Sequence, residues 1–132
     1  DNLQKYNLPF PQAVFDLEFY HHNPRPFISL ASEIWPGAGG HSPTLTHSFL
    51  RLLSDKDLLL RNYTQNIDGL EVLAGVDPEK MVECHGHFRT ASCTECDAPY
   101  GGDACRKEIC AGAVPRCDAC GGYVKPDIVF FG

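Results

Sequence analysis

Two C-x-x-C pairs, Cys93-x-x-Cys96 and Cys117-x-x-Cys120, stand twenty residues apart, and no other feature constrains this chain as tightly. Pairs separated by about 15–20 residues match a tetrahedral zinc site with four cysteine ligands. The short spacing lets two sulfurs of one turn reach the same ion, and the long spacer brings the second turn back from the other side. Thr94-Glu95 fills the first turn, and Asp118-Ala119 followed by Gly121-Gly122 shapes the second. Four protein ligands close the coordination sphere, so such a zinc is structural rather than catalytic. Residues 93–122 hold six of the seven cysteines, five of the twelve glycines and few large apolar side chains. A segment of that composition cannot build a hydrophobic core of its own, and zinc takes the place of one. Cys84, Cys105 and Cys110 read as ordinary small residues rather than ligands. The odd cysteine count argues against a secreted disulfide framework. A thiol redox protein is the competing reading of the C-x-x-C pairs; tight zinc retention under reducing conditions would exclude it.

The rest of the chain carries helix and strand signals in alternation. Pro11 to Phe19 places apolar side chains at 14, 15 and 19, which suits a short helix. Phe27, Leu30, Ala31 and Ile34 repeat with the spacing of a buried helical face, with Pro24 and Pro26 near its start and Pro36-Gly37 as its stop. Gly37 to Gly40 reads as a turn; no apolar strand leads into it and no Lys follows, as a phosphate loop would require. Ser42-Pro43 predicts the N-cap and first residue of another helix, with Leu45, Phe49, Leu52 and Leu53 along one face. Leu58 to Thr64 is an apolar run of strand length and predicts a buried strand of a parallel sheet. A short helix follows from Asp68, with Leu70, Leu73 and Ala74 inward and Gly75 closing it. Met81 to Gly86 predicts a strand running into a turn, and Val124 to Phe131 another strand. This alternation outside the cysteine segment predicts an α/β layer architecture, with 93–122 as an insertion.

Charge and hydropathy exclude several functions. The net charge is −6, and four thiolates holding one Zn2+ would make it about −8. The eleven Lys and Arg residues are scattered, so direct nucleic-acid binding is not expected. No apolar run approaches the ~18 residues of a membrane span, and no signal or transit segment is recognisable.

Two polar stretches stand at predicted strand ends, where α/β sheets bind ligands. In Thr64-Gln65-Asn66-Ile67-Asp68, amides and a carboxylate cluster in a way that suits recognition of an amide and of ribose hydroxyls. The alternative is an N-cap at Asp68 with turn-forming neighbours. In Glu83-Cys84-His85-Gly86-His87, His85 ends a strand and Gly86 permits close backbone approach. A histidine there suits a general base, although a lone histidine is more often structural. His21, His22, His41 and His47 have no comparable setting.

Taken together, T-Q-N-I-D, then H-G-x-F seventeen residues after Asp68, then the two C-x-x-C pairs, then V-K-P-D-I-V-F-F-G resemble the catalytic core of the sirtuins, the zinc-containing NAD-dependent protein-lysine deacylases. The order and spacing match across essentially the whole chain. The class resembled is the vertebrate class I, and L-R-L-L-S-D-K-D-L-L-L-R-N-Y-T-Q-N-I-D-G-L is most similar to its mitochondrial member. The resemblance implies an α/β fold: a partial Rossmann-like parallel sheet and helical part (1–92 and 123–132) with a small zinc-ribbon subdomain inserted (93–122). It implies NAD and structural Zn2+ as cofactors and acyl-lysine proteins as substrates. It implies a mitochondrial matrix location, with nucleus or cytoplasm as the alternatives. Residue by residue, His85 would be the base that deprotonates a ribose hydroxyl of NAD. Asn66 and Asp68 would line the nicotinamide pocket, with Gln65 on the ribose and Ile67 touching both nicotinamide and acyl group. Ile128, Val129 and Phe131 would line the acyl-lysine channel, the Val129 backbone bonding the substrate lysine amide. Cys93, Cys96, Cys117 and Cys120 would bind zinc. The products implied are lysine, nicotinamide and O-acyl-ADP-ribose.

The resemblance also has gaps. The family's opening strand with its phosphate-binding Gly-Ala-Gly turn and the Phe-Arg loop do not occur in these 132 residues (the Gly-Ala-Gly at 37–39 has no apolar strand leading into it), and the acidic residue expected after Gly132 is not present. The expectation is an incomplete catalytic core that by itself binds NAD weakly or not at all, with a catalytically inactive zinc-binding interaction fragment as the competing reading. His87 stands where a small hydroxyl residue is usual.

Overall fold

The computed structural model describes residues 8–38 and 40–132; residues 1–7, and Gly39 of the turn read over Gly37 to Gly40, lie outside the described residues. The first predicted helix is divided in two. Pro11–Phe15 forms a 3₁₀ turn, and Asp16, in extended conformation, starts α1 (Leu17–His22). The division follows from capping: the Asp16 carboxylate accepts the Phe19 N–H at 2.8 Å, satisfying an amide that a continuous helix would have bonded internally. Helix α2 (Arg25–Ile34) has Pro26 in its first turn and buries Phe27, Ile28 and Ala31, with Leu30 and Ile34 half-buried at its edge.

Helix α3 (Leu45–Asp55) begins two residues later than Ser42-Pro43 predicts. Thr44 is its N-cap because His47 reaches back to it: the Thr44 N–H donates to His47 Nδ1 at 3.1 Å, closing a capping box. The apolar face of α3 is open to solvent, with Leu45 86%, Phe49 56% and Leu52 49% exposed. The run Leu58 to Thr64 is not a buried strand either. Only β1 (Asn62–Thr64) is extended, paired in parallel with β2 (Met81–Glu83), while Leu58 and Leu60 are exposed. Both departures have one cause: among the described residues β1 has a single neighbouring strand, so no layer covers this side. In α4 (Leu70–Leu73) Leu73, expected inward, is exposed, and Glu71 is buried.

The second sheet is antiparallel. It runs β4 (Pro99–Tyr100), β3 (Gly86–Cys93), β5 (Val124–Ile128). In the β3–β5 ladder Cys93 stands opposite Val124 at one end, and Gly86 opposite Ile128 at the other. The last predicted strand stops at Ile128, where the chain turns to bridge Phe131 to Asp16. Helix α5 (Gly102–Cys110) lies inside the cysteine segment, where the spacing of apolar residues was too sparse to predict one. It buries Cys105 and Ile109, one turn apart, and packs on α2 and β3. Gly102 is required at its start: a Cβ there would sit 2.0 Å from the Arg89 carbonyl oxygen. The cysteine segment therefore shares one apolar core with the helices, formed by Val14, Tyr20, Phe27, Ile28, Ala31, Phe88, Ile109, Val124 and Ile128 among others. Among the described residues no helix is long and apolar enough to cross a membrane.

Full burial makes Ile109 the residue that ties α5 to this core. Ile109→Ala is expected to cost about 2–5 kcal/mol through lost transfer energy and the cavity left behind; the midpoint of denaturant unfolding measures it.

Candidate functional site: a four-cysteine centre and an apolar cavity beside His85

The four predicted zinc ligands converge. The sulfurs of Cys93, Cys96, Cys117 and Cys120 all lie within 4.8 Å of one another, with Cys93–Cys120 at 3.5 Å and Cys96–Cys117 at 3.7 Å. Zinc bound tetrahedrally at about 2.3 Å requires sulfur separations of about 3.8 Å, so the tetrad fits the ion. Each knuckle also donates backbone amides to its sulfurs: Glu95 N–H to Cys93 Sγ and Gly122 N–H to Cys120 Sγ, both at 3.4 Å. The Glu95 amide helps bring the Cys93 thiol down to about 7. Cys120 also receives an amide, from Gly122, yet crowding by the Cys96 and Cys93 sulfurs pushes it up to about 12. Four thiolates this close repel one another, and a divalent cation at their centre removes that cost. Cys84, Cys105 and Cys110 lie outside the tetrad, as expected. Burial pushes the Cys105 thiol up to about 12, so it behaves as a small apolar residue.

At the other end of β3, His85 occupies the turn between β2 and β3. Gly86 makes that turn possible. It adopts φ +76°, and a Cβ on it would lie 2.0 Å from the Asp127 carbonyl oxygen. His85 Nδ1 is 2.9 Å from the backbone carbonyl of Gln65. A carbonyl only accepts, so Nδ1 is the donor in this bond and Nε2 is the ring nitrogen that the bond leaves free. The backbone carbonyl of His85 accepts the Val129 N–H at 2.9 Å. That bond engages the Val129 amide, so the Val129 carbonyl is the backbone group of this residue available to accept from a ligand. Glu83 and Arg89 flank the turn and form a two-pronged ion pair across it. The Arg89 guanidinium holds the Glu83 carboxyl below its ordinary value of 4.5.

A cavity of about 240 Å³ opens beside His85, lined by Phe15, Gln65, Ile67, His85, Ile128, Val129, Phe130 and Phe131. Six of the predicted site residues thus share one cavity. Asp68 lines a neighbouring cavity of about 360 Å³ with Gly69, His87 and Arg89, and Ile67 is the wall between the two. The Asp68 carboxylate accepts the Leu70 N–H at 3.1 Å, so the turn-forming role and the site position coexist. Asn66 is exposed and lines neither cavity; its N–H bonds the Thr64 hydroxyl at 3.2 Å. Phe15 and Phe130 were not foreseen. Phe15 reads in sequence as one position of a helical face, and Phe130 as part of the strand predicted over Val124 to Phe131, which ends at Ile128.

A model of the Sir2 family matches residues 1–132. The "NAD-dependent protein deacetylase sirtuin-3" of Mus musculus is 55% identical over 131 residues, which are 99% of this chain and 39% of that protein. The "NAD-dependent protein deacetylase sirtuin-2" of Danio rerio is 47% identical over 99% of this chain and 35% of its own length. The "NAD-dependent protein deacetylase hst2" of Schizosaccharomyces pombe is 48% identical, over the whole of this chain and 39% of its own length. The chain spans less than two fifths of these relatives.

Metal analysis of the purified protein is expected to give one zinc per chain, and Cys96→Ser to lower both zinc content and melting temperature, because the ion would join the two cysteine knuckles and its binding energy adds to folding energy. The Glu83–Arg89 pair gives a pH signature. Its carboxyl is depressed, so its stabilisation is fully present above pH 4.5 and is lost as pH falls through the lower folded value. The stability difference between wild type and Glu83→Gln is expected to be under about 1 kcal/mol, because Arg89 is half exposed. It should be constant near neutrality and shrink below pH 4.5 in acid-titrated unfolding curves.

Proposed function

The chain belongs to the Sir2 family, and from that premise we propose that the protein removes acyl groups from protein lysines, using NAD as co-substrate and Zn2+ as a structural ion. The observation that carries this reading is the position of His85. Its Nδ1 is tied to Gln65, its Nε2 is left as a base, and it stands at the mouth of an apolar cavity walled by Ile128, Val129 and Phe131. We assign the inserted zinc subdomain to 93–122 and the Rossmann-like and helical parts to 1–92 and 123–132.

The cavity suits a neutral acyl-lysine. A charged lysine would leave its hydration there without a counter-charge, at a cost of several kcal/mol. The Val129 carbonyl would accept the substrate amide N–H, and Ile67 would press on the acyl group from the wall shared with the Asp68 cavity. Asp68 is the acceptor for a carboxamide in that second cavity, and Asn66 and Gln65 complete the polar edge. NAD, when bound, would supply a ribose carbon made electrophilic by loss of nicotinamide and open to the acyl oxygen. His85 Nε2 would take the proton from a neighbouring ribose hydroxyl and so make that oxygen a nucleophile toward the acyl carbon. The Gln65 carbonyl stabilises the imidazolium that results. The lysine amine would then leave with a proton and a water molecule would add to the former acyl carbon, so that the acyl group ends as an ester on the ADP-ribose.

The mitochondrial matrix is the compartment we propose, on the similarity of residues 50–70 to the family's mitochondrial member. The test of activity is NAD-dependent deacetylation of an acetyl-lysine peptide, followed by mass detection of O-acetyl-ADP-ribose. His85→Ala is expected to lose about 10²–10⁴-fold in kcat/KM, while retaining zinc and fold. A folded, zinc-loaded protein with no turnover would instead support a non-catalytic zinc-binding role.

A further inference from the structure

Lys125 lies on the face of β5 opposite the inward Val124, Pro126 and Ile128. A lysine on such a face normally extends its ammonium into water. This one folds back along the chain. Its Nζ donates to the Ile128 carbonyl at 2.7 Å and to the Pro126 carbonyl at 3.2 Å, and lies 4.6 Å from the centroid of the Phe130 ring. Burial lowers its pKa from the ordinary lysine value, and among the described residues no carboxylate is within ion-pair distance of it. An ammonium half-withdrawn from water against two carbonyls and a ring loses hydration, and these contacts replace it while holding the groups they touch in place.

What it holds is the peptide unit between Ile128 and Val129. The carbonyl of that unit accepts from Lys125 at 2.7 Å, and its N–H donates to the His85 carbonyl at 2.9 Å. A peptide plane anchored at both its oxygen and its hydrogen cannot rotate, and its orientation sets where the Val129 side chain and carbonyl point. The ladder ends at Ile128, so the next residues have no strand neighbour to fix them. The Phe131 amide and carbonyl are held by backbone bonds to Phe15 and Leu17. Lys125 is the side-chain anchor of this wall. Its second contact, Phe130, packs edge-on against Phe27 at 5.0 Å and Phe15 at 6.0 Å, which joins the wall to the core.

We propose that Lys125 is a positioning residue for acyl-lysine binding: its ammonium locks the Ile128–Val129 peptide against His85, so that the cavity wall and the Val129 carbonyl are set before substrate arrives. This rests on the deacylase reading, and two readouts separate the two claims. Lys125→Met, in the full-length protein, is expected to raise the KM for an acetyl-lysine peptide about 10-fold, the scale of a lost charge-assisted hydrogen bond. The KM for NAD should stay within about 2-fold, and Lys125→Arg should restore most of the loss. Amide hydrogen exchange at Val129 should quicken about 10-fold in Lys125→Met and not in Lys125→Arg, whether or not the protein turns over. Peptide KM and Val129 exchange unchanged in Lys125→Met would overturn the proposal. So would parallel rises in both KM values with a fallen melting temperature, or failure of Lys125→Arg to rescue. If Lys125→Met does not fold, Lys125→Gln, which keeps donors but no charge, is expected to show the same split at smaller size. Absence of wild-type turnover would defeat the deacylase reading, and the exchange data would still decide whether Lys125 locks the peptide.

Discussion

The pairing of β3 with β5 is the interaction on which the rest depends. One end of this ladder is Cys93 beside Val124, and the other is Gly86 beside Ile128. The same eight-residue strand therefore delivers a zinc ligand at one end and the His85 turn at the other, roughly 20 Å away at strand rise. The four-cysteine centre and the His85 turn are thus joined by one strand without sharing a residue. A closed four-cysteine centre does no chemistry; it brings the two knuckles together beside the Cys93–Val124 end of the ladder.

Around that ladder the core is unusually aromatic. Phe15, Tyr20, Phe27 and Phe130 meet edge-to-face at 5.0–6.1 Å. Tyr20 adds a hydrogen bond from its hydroxyl to the Val124 carbonyl at 2.9 Å, and burial raises its pKa well above the ordinary tyrosine value. It therefore acts as a neutral donor that joins α1 to β5. The cluster does two jobs because Phe15 and Phe130 present other faces to the cavity beside His85. Packing in the core and shape of the site are set by the same rings.

The parallel side is built differently. β1 and β2 make a two-stranded sheet, and α3 turns Leu45, Phe49 and Leu52 to solvent. Local bonds hold this side together: the Thr44–His47 box, the Arg51–Asp55 pair at 2.6 Å and the Lys80–Asp57 pair at 3.0 Å. Such exposed contacts each contribute little. The periodicity of α3 was readable because a helical face is inscribed at short range; whether that face is covered is a property of neighbouring layers, and no local pattern encodes it.

The sequence by itself determined the metal centre and the polar turns. Cysteine chemistry and C-x-x-C spacing leave one plausible ligand set, and Gly86 marks a backbone turn that only glycine allows at its close approach to Asp127. T-Q-N-I-D, H-G-x-F, the two C-x-x-C pairs and V-K-P-D-I-V-F-F-G together carry the resemblance to the family in the sequence alone. Tertiary structure alone decided three other things. Helix α5 forms because Cys105 and Ile109 find α2 and β3, although its sequence is weakly apolar. The Val129 amide is consumed by His85, which leaves only its carbonyl for a ligand. Lys125 turns inward onto the Ile128 carbonyl instead of outward to water. Each depends on partners distant in the chain, or on a bend after β5, and such contacts are set by the assembled fold because the local sequence is compatible with more than one outcome.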